Sequence, residues 1–215
     1  PVLEILYNPK VDKWSKFQQR LKKYNDIWYN IYFAINDFHS KRRRKANISR
    51  FRGFMIDIDW DNVDKEALYL ELLNTCCKTQ INFWIQPNYI VETYKWFHVL
   101  FMFHQDIWNL KEEAYMNLFH FFNEVYKGDK RFKPITWMVK APWFIDHKDN
   151  RNFQIKLRDY TKGKQLIDLE SLLRFFSLWG EIDKKKLLNC EEKIKKEKVQ
   201  NSDVFTEIML ASRTK

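Results

Sequence analysis

Asp57 and Asp59 flank a single isoleucine in the run GFMIDID. Side chains alternate along a strand, so residues two apart share a face, while Ile58 between them points to the opposite side and into a core. Carboxylates held that close repel each other unless a cation lies between them. Oxygen ligands of this hardness suit Mg²⁺ or Mn²⁺, ions that also bind the phosphates of a substrate. Taken alone, the pattern describes equally well a strand end followed by a turn acid, and Asp61 and Asp64 behind it read as turn and cap residues. His98 opens the apolar run FHVLFMF beyond the turn TYKW. It reads either as a satisfied strand histidine or, with Lys95 and Trp96 beside it, as part of an anion site.

Such side chains need a scaffold, and the hydrophobic pattern outlines one. Val11, Trp14, Phe17, Leu21 and Tyr24 recur at helical steps, which predicts a helix over 11–25. The run IWYNIYFAI predicts a strand over 27–35, and GFMIDI a central strand from Gly53 to Ile58. Asp64 is the expected N-cap of a helix through Ala67, Leu70 and Leu73. Three strands are expected over 81–86, 88–93 and 97–103. A long helix over 109–126 would bury Leu110, Ala114, Leu118, Phe121, Phe122 and Val125, with Gly128 as its C-cap. One more strand over 152–158 and an amphipathic helix over 166–179 follow. Strands that read as antiparallel, interspersed with helices, give an α+β fold. Residues 1–180 form the expected catalytic domain, and 181–215 a charged linker or helical appendage leading to a further domain.

Composition narrows the partners. A chain of 215 residues with 45% apolar residues, only 4 Gly and 5 Pro, packs as a globular domain. Its net charge of +10 attracts polyanions over roughly 8 Å at physiological salt, which makes nucleic acid the leading partner. No apolar run reaches the roughly 20 residues that span a bilayer, and no secretory leader is visible, so a cytoplasmic protein is expected. Its 3 cysteines include no CxxC pair, so neither zinc nor a disulfide framework is expected. Lys41, Arg42, Arg43, Arg44, Arg50 and Arg52 fall in a segment without apolar period, over 38–52, which reads as an exposed basic loop for DNA.

The order of FMIDID and then, about 40 residues on, a strand–turn–strand ending in histidine resembles the archaeo-eukaryotic primase superfamily, in particular the primase-polymerases of plasmids and phages. The resemblance covers roughly residues 28–160 and implies an RRM-like sheet core flanked by helices. It implies that Asp57 and Asp59 are the metal-binding pair, His98 the triphosphate-touching histidine, and Asp129, in GDKRFKPITWMVKAPWFIDHK, the third metal acid. Lys140 stands where the family has a phosphate-binding arginine, Lys148 matches a distal lysine, and Lys95 joins them as a nucleotide-binding residue. The sequence departs from the pattern in Lys140 for Arg, Trp143 for Gly, Asp146 for Asn and Trp96 for a small hydroxyl residue. The activity implied is templated nucleotidyl transfer with two Mg²⁺ or Mn²⁺ ions, NTP or dNTP substrates and a single-stranded DNA template. A helicase domain in the same polypeptide is the further partner considered.

Two other readings compete. A non-catalytic nucleic-acid-binding module would use the charge alone, yet polyanion binding disfavours three retained acids unless metal is present. A metal-dependent nuclease or relaxase could use the same acids and histidine. Relaxases need a nucleophilic tyrosine and clustered histidines, and the 5 histidines here form no HxH pattern.

Overall fold

The structure, a computed structural model, describes residues 2–6, 13–39, 43–59, 64–150, 152–160, 166–177 and 208–213. Within these, the elements run β1 (Val2–Leu6), α1 (Trp14–Asp26), β2 (Tyr29–Ala34), β3 (Asp37–Phe38), β4 (Ile48–Arg50), β5 (Gly53–Ile58), α2 (Lys65–Phe83), β6 (Tyr89–Glu92) and β7 (Phe97–Met102). Then come α3 (Glu112–Val125), β8 (Met138–Lys140), β9 (Ile145–Asp146), β10 (Phe153–Gln154), β11 (Lys156–Tyr160), α4 (Leu169–Ser177) and β12 (Ile208–Arg213). The fold is α+β, as expected. Among the described residues no helix is long and apolar enough to cross a membrane.

Two four-stranded antiparallel sheets carry the architecture, one ordered β11-β6-β7-β5 and the other β1-β12-β2-β8. In the first, Phe54, Ile56 and Ile58 pair with Phe101, Val99 and Phe97, and all six are fully buried. This face meets the helices: Phe54 makes ring contacts with Tyr115, Phe119 and Phe122 of α3, and Tyr69 of α2 stacks on Phe97. α4 closes the layer through Phe175, whose ring meets Phe83, Phe121 and Phe122. The opposite face of the same strands carries Asp57, His98, Val91, Leu100, Tyr89 and Leu157, and it looks towards the second sheet.

Several expected elements come out differently. Residues 81–86 are not a strand, because α2 continues to Phe83 and ends at Trp84 in a left-handed conformation at φ 58°. Asp64 does cap α2, its carboxylate accepting from Glu66 N–H at 3.3 Å. Gly128 is not the residue that turns the chain after α3, since Lys127 takes the left-handed conformation at φ 52°. Gly128 is required for space instead, because a Cβ there would lie 2.6 Å from Ile56 Cγ2 and 2.1 Å from Asn123 Oδ1. The basic segment is only partly an exposed loop. It contains β4 and the buried Phe51, and Arg52 is 12% exposed, ion-paired to Asp37 at 2.7 Å. From the segment read as an appendage, β12 lies between β1 and β2 in the second sheet.

Gly53 sets the closest approach of β5 to β7. A Cβ at this position would sit 2.2 Å from the backbone carbonyl oxygen of Phe101, an atom that cannot move without shifting the strand. Gly53→Ala is expected to destabilise the fold by about 2 kcal/mol or more, in the range of overpacked core sites. Urea unfolding of the variant beside Gly128→Ala measures it, and wild-type midpoints for Gly53→Ala would contradict the register.

Candidate active site

β5 delivers Asp57 to its end, and β7 delivers His98 directly across from it in the antiparallel ladder. His98 Nε2 lies 3.7 Å from Asp57 Oδ1, and both side chains are largely buried. Asp59 follows just past the strand, close enough for its charge to act on Asp57. The third acid arrives from after α3: the Asp129 backbone N–H donates to the Asp57 carbonyl at 2.8 Å, which fastens that turn to the end of β5. Neither of these two fastenings depends on a side chain.

The electrostatics follow from this crowding. Burial, then the charges of Asp59 and Asp129, push the Asp57 carboxyl up to about 7 from 3.8, with Lys140 opposing. Asp57 Oδ1 is buried and accepts no hydrogen bond. Burial, and then Lys140, push His98 down to about 3, so its imidazole is neutral at physiological pH. A neutral imidazole can still donate or accept a hydrogen bond, and the Nδ1 of His98 is a buried atom without a hydrogen-bond partner. Lys140 ends β8 and is ion-paired to Asp146, which is 3% exposed.

Not every expected residue joins this cluster. Lys148 is exposed and touches it only indirectly, its backbone N–H donating to Asp146 Oδ1 at 3.2 Å. Lys95 is exposed in the β6–β7 turn, with Nζ 5.4 Å from the Trp96 ring centroid. In the basic segment, Arg44 and Arg50 are exposed, whereas Arg43 donates to the Thr136 carbonyl at 3.1 Å and Arg52 is held by Asp37 and by the Trp108 ring. Arg52 is thus a structural residue and not a free DNA contact, and Lys41 and Arg42 lie outside the described residues. Among the described residues, no three His, Cys, Asp or Glu side chains are gathered tightly enough to form a ready metal-binding group.

Two features were missed from the sequence. Arg131 forks onto Asp129, Nε to Oδ1 and Nη2 to Oδ2 both at 3.1 Å, and Nη2 reaches to 3.9 Å from Asp59 Oδ2. Its place two residues after a candidate ligand is the signal that could have found it. The other is a buried ion network beneath the β6–β7 turn. Glu92 is ion-paired with Lys65 at 2.9 Å and with Arg158 at 3.0 Å, and Lys65 also donates to the Thr93 and Tyr94 carbonyls. By their numbers Lys65 and Glu92 lie 27 residues apart in sequence and Glu92 and Arg158 66 apart, which hides them.

Beyond His98 the same sheet face turns apolar. Val91, Leu100, Tyr89, Met102 and Leu157 floor a cavity of about 340 Å³, walled by Trp14 and Leu21 of α1 and by the segment Ala141–Phe144 that follows Lys140.

A solved structure titled a cyanophage S-2L primase-polymerase, AEP domain, superposes with a TM-score of 0.51 at 14% identity, covering 80% of this chain and 87% of that one. The fold is primase-like. No family model matches the sequence, and no curated protein matches it either. At that identity the primase-like fold is shared without close similarity in sequence.

Asp57 supplies a direct check on the crowding. Its carboxyl is raised in the folded protein, so the folded state holds the proton more tightly and stability falls as pH rises from about 4 to about 7. Above that window the full penalty applies, on the order of 2–4 kcal/mol. In metal-free buffer Asp57→Asn should be more stable than wild type at pH 8 by about that amount and nearly equal to it at pH 4. Urea titrations at the two pH values give the answer, and equal stability at pH 8 would mean that the carboxylate is not crowded.

Proposed function

We propose that the chain is a template-directed nucleotidyltransferase, a DNA primase or polymerase of plasmid or phage replication. The observation that carries this reading is a buried, unsatisfied Asp57 carboxylate, crowded by Asp59 and Asp129 and facing a neutral His98 in a primase-like fold. Carboxylate oxygens so crowded are hard donors of the kind that fit Mg²⁺ or Mn²⁺. Asp57, Asp59 and Asp129 would hold the metal, which would activate the attacking hydroxyl and stabilise the departing pyrophosphate.

The chain's own groups do the rest. Neutral His98 can donate one ring N–H to a phosphate oxygen without bringing a second charge into a buried site. Lys140 is a fixed cation, oriented by Asp146, and it adds positive potential where phosphate charge develops. Lys95 and Lys148 are exposed cations that a triphosphate could draw in. Polar groups thus give way to an apolar cavity along one sheet face, the same order of chemistry as the phosphate and base ends of a nucleotide. Single-stranded template would be held by exposed cations of the basic segment, Arg44 and Arg50 among the described ones.

Templated incorporation of labelled nucleotides with Mg²⁺ or Mn²⁺ is the expected activity, abolished by Asp57→Ala or Asp59→Ala with the fold intact. Strand cleavage in place of incorporation would favour a nuclease, and DNA binding with neither activity a non-catalytic module. His98→Ala should weaken nucleotide binding about tenfold, the loss of one hydrogen bond to a charged group, and leave single-stranded DNA affinity unchanged. Arg44→Ala with Arg50→Ala should flatten the log–log salt dependence of single-stranded DNA binding by about 1.4, from roughly 0.7 per phosphate contact. An unchanged slope would place the template elsewhere.

A further inference from the structure

Among the groups around the acidic cluster, Arg131 differs from the other cations in how it is held. Lys140 is 16% exposed and locked to Asp146 inside the fold, whereas the Arg131 side chain is 84% exposed and rests on the carboxylates from outside. Its guanidinium grips both oxygens of Asp129 at 3.1 Å and stands 3.9 Å from Asp59. Two of the three crowded acids therefore share one positive group. That group holds the Asp129 carboxyl below the usual carboxylate range, chiefly through its side-chain hydrogen bond.

We propose that Arg131 is an exchangeable counter-cation: its guanidinium neutralises Asp129 and Asp59 in the metal-free protein and transfers to the phosphates of a bound nucleotide when a divalent cation takes those carboxylates. This rests on the reading that the three acids bind metal. Three observations make the exchange workable. The pair is exposed, and exposed ion pairs are weak enough to be displaced. The Arg131 backbone N–H separately donates to Asp129 Oδ1 at 2.8 Å, so the carboxylate keeps its orientation after the side chain leaves. Finally, a guanidinium forks onto phosphate as it does onto carboxylate, a geometry that the ammonium of Lys140 cannot offer. Arg131 thus competes with metal at first and assists the nucleotide afterwards.

The test measures two affinities on the full chain. Mn²⁺ binding without nucleotide is followed by the electron-paramagnetic signal of free Mn²⁺, and dATP binding by calorimetry in Ca²⁺. For Arg131→Gln and Arg131→Lys the expected result is Mn²⁺ binding tighter by about two- to fivefold, the equivalent of one exposed ion pair. Both variants should bind dATP more weakly, by about tenfold. If only Arg131→Gln tightens Mn²⁺ binding, the effect is one of net charge and the fork exchange is overturned. It is equally overturned if both variants bind Mn²⁺ as wild type does, or if dATP affinity rises with Mn²⁺ affinity. Wild-type protein that binds no Mn²⁺ would sink the metal reading itself, and this proposal with it. Wild-type binding with unaffected variants would sink the role of Arg131 alone.

Discussion

Crowding of the buried Asp57 carboxyl by Asp59 and Asp129 is the constraint that organises this end of the molecule. Like charges that share a partly buried site cannot all stay ionised without help, and the fold spends backbone hydrogen bonding to keep them together nonetheless. The β5–β7 ladder fixes Asp57 against His98, and the Asp129 N–H bond to the Asp57 carbonyl draws in the turn after α3. Gly128 permits this approach, because any side chain there would collide with Ile56 on the far face of β5. Each of these contacts holds Asp57 where its ionised form costs stability, and strained groups of that kind cluster at functional sites.

The cations around the acids divide by burial. Lys140 sits deep and is matched by Asp146, so the two make an internally neutral unit, and its field still reaches both Asp57 and His98. The same field, added to burial, keeps His98 uncharged. A neutral histidine beside a lysine avoids two adjacent buried positive charges. Beneath the β6–β7 turn, Glu92 plays the corresponding part for Lys65 and Arg158, binding the start of α2 to the turn and to β11. The turn that leads into His98 is thereby tied from below by ion pairs among side chains that are largely shielded from solvent.

Local pattern carried much of this and failed where distant contacts decide. The short apolar run GFMIDI, broken only by an acid, made the central strand and its acid legible, and the apolar stripe of 109–126 made α3 legible by its helical period. Residues 81–86 misled because INFWI is rich in β-forming types, yet Ile81 lies on an exposed face of α2, 74% accessible, where apolar character carries no positional meaning. Gly128 was read for its freedom of φ when its lack of a side chain is what matters, a distinction that only the neighbours Ile56 and Asn123 reveal. Arg52 looked like its exposed neighbours in a basic run, but Asp37 and Trp108 take it out of solvent. β12 pairs with β1 and β2 across most of the chain length, and no local signal announces such a pairing.

Two departures from the primase pattern turn out to be one. Lysine at 140 and aspartate at 146 each looked like the loss of a useful group, a forked guanidinium in one case and a neutral amide in the other. Placed together they form an ion pair, so each substitution makes the other tolerable: a buried Asp146 without Lys140 would be an unpaired charge, and Lys140 facing an amide would lose its counter-charge. The exchange leaves the protein with a fixed point charge at that position and no planar fork. A guanidinium fork is present on Arg131, exposed and bonded to Asp129. On the proposed function, such a site would separate two duties that one arginine could otherwise combine, steady positive potential from the buried Lys140 and a directional grip from Arg131 at the rim.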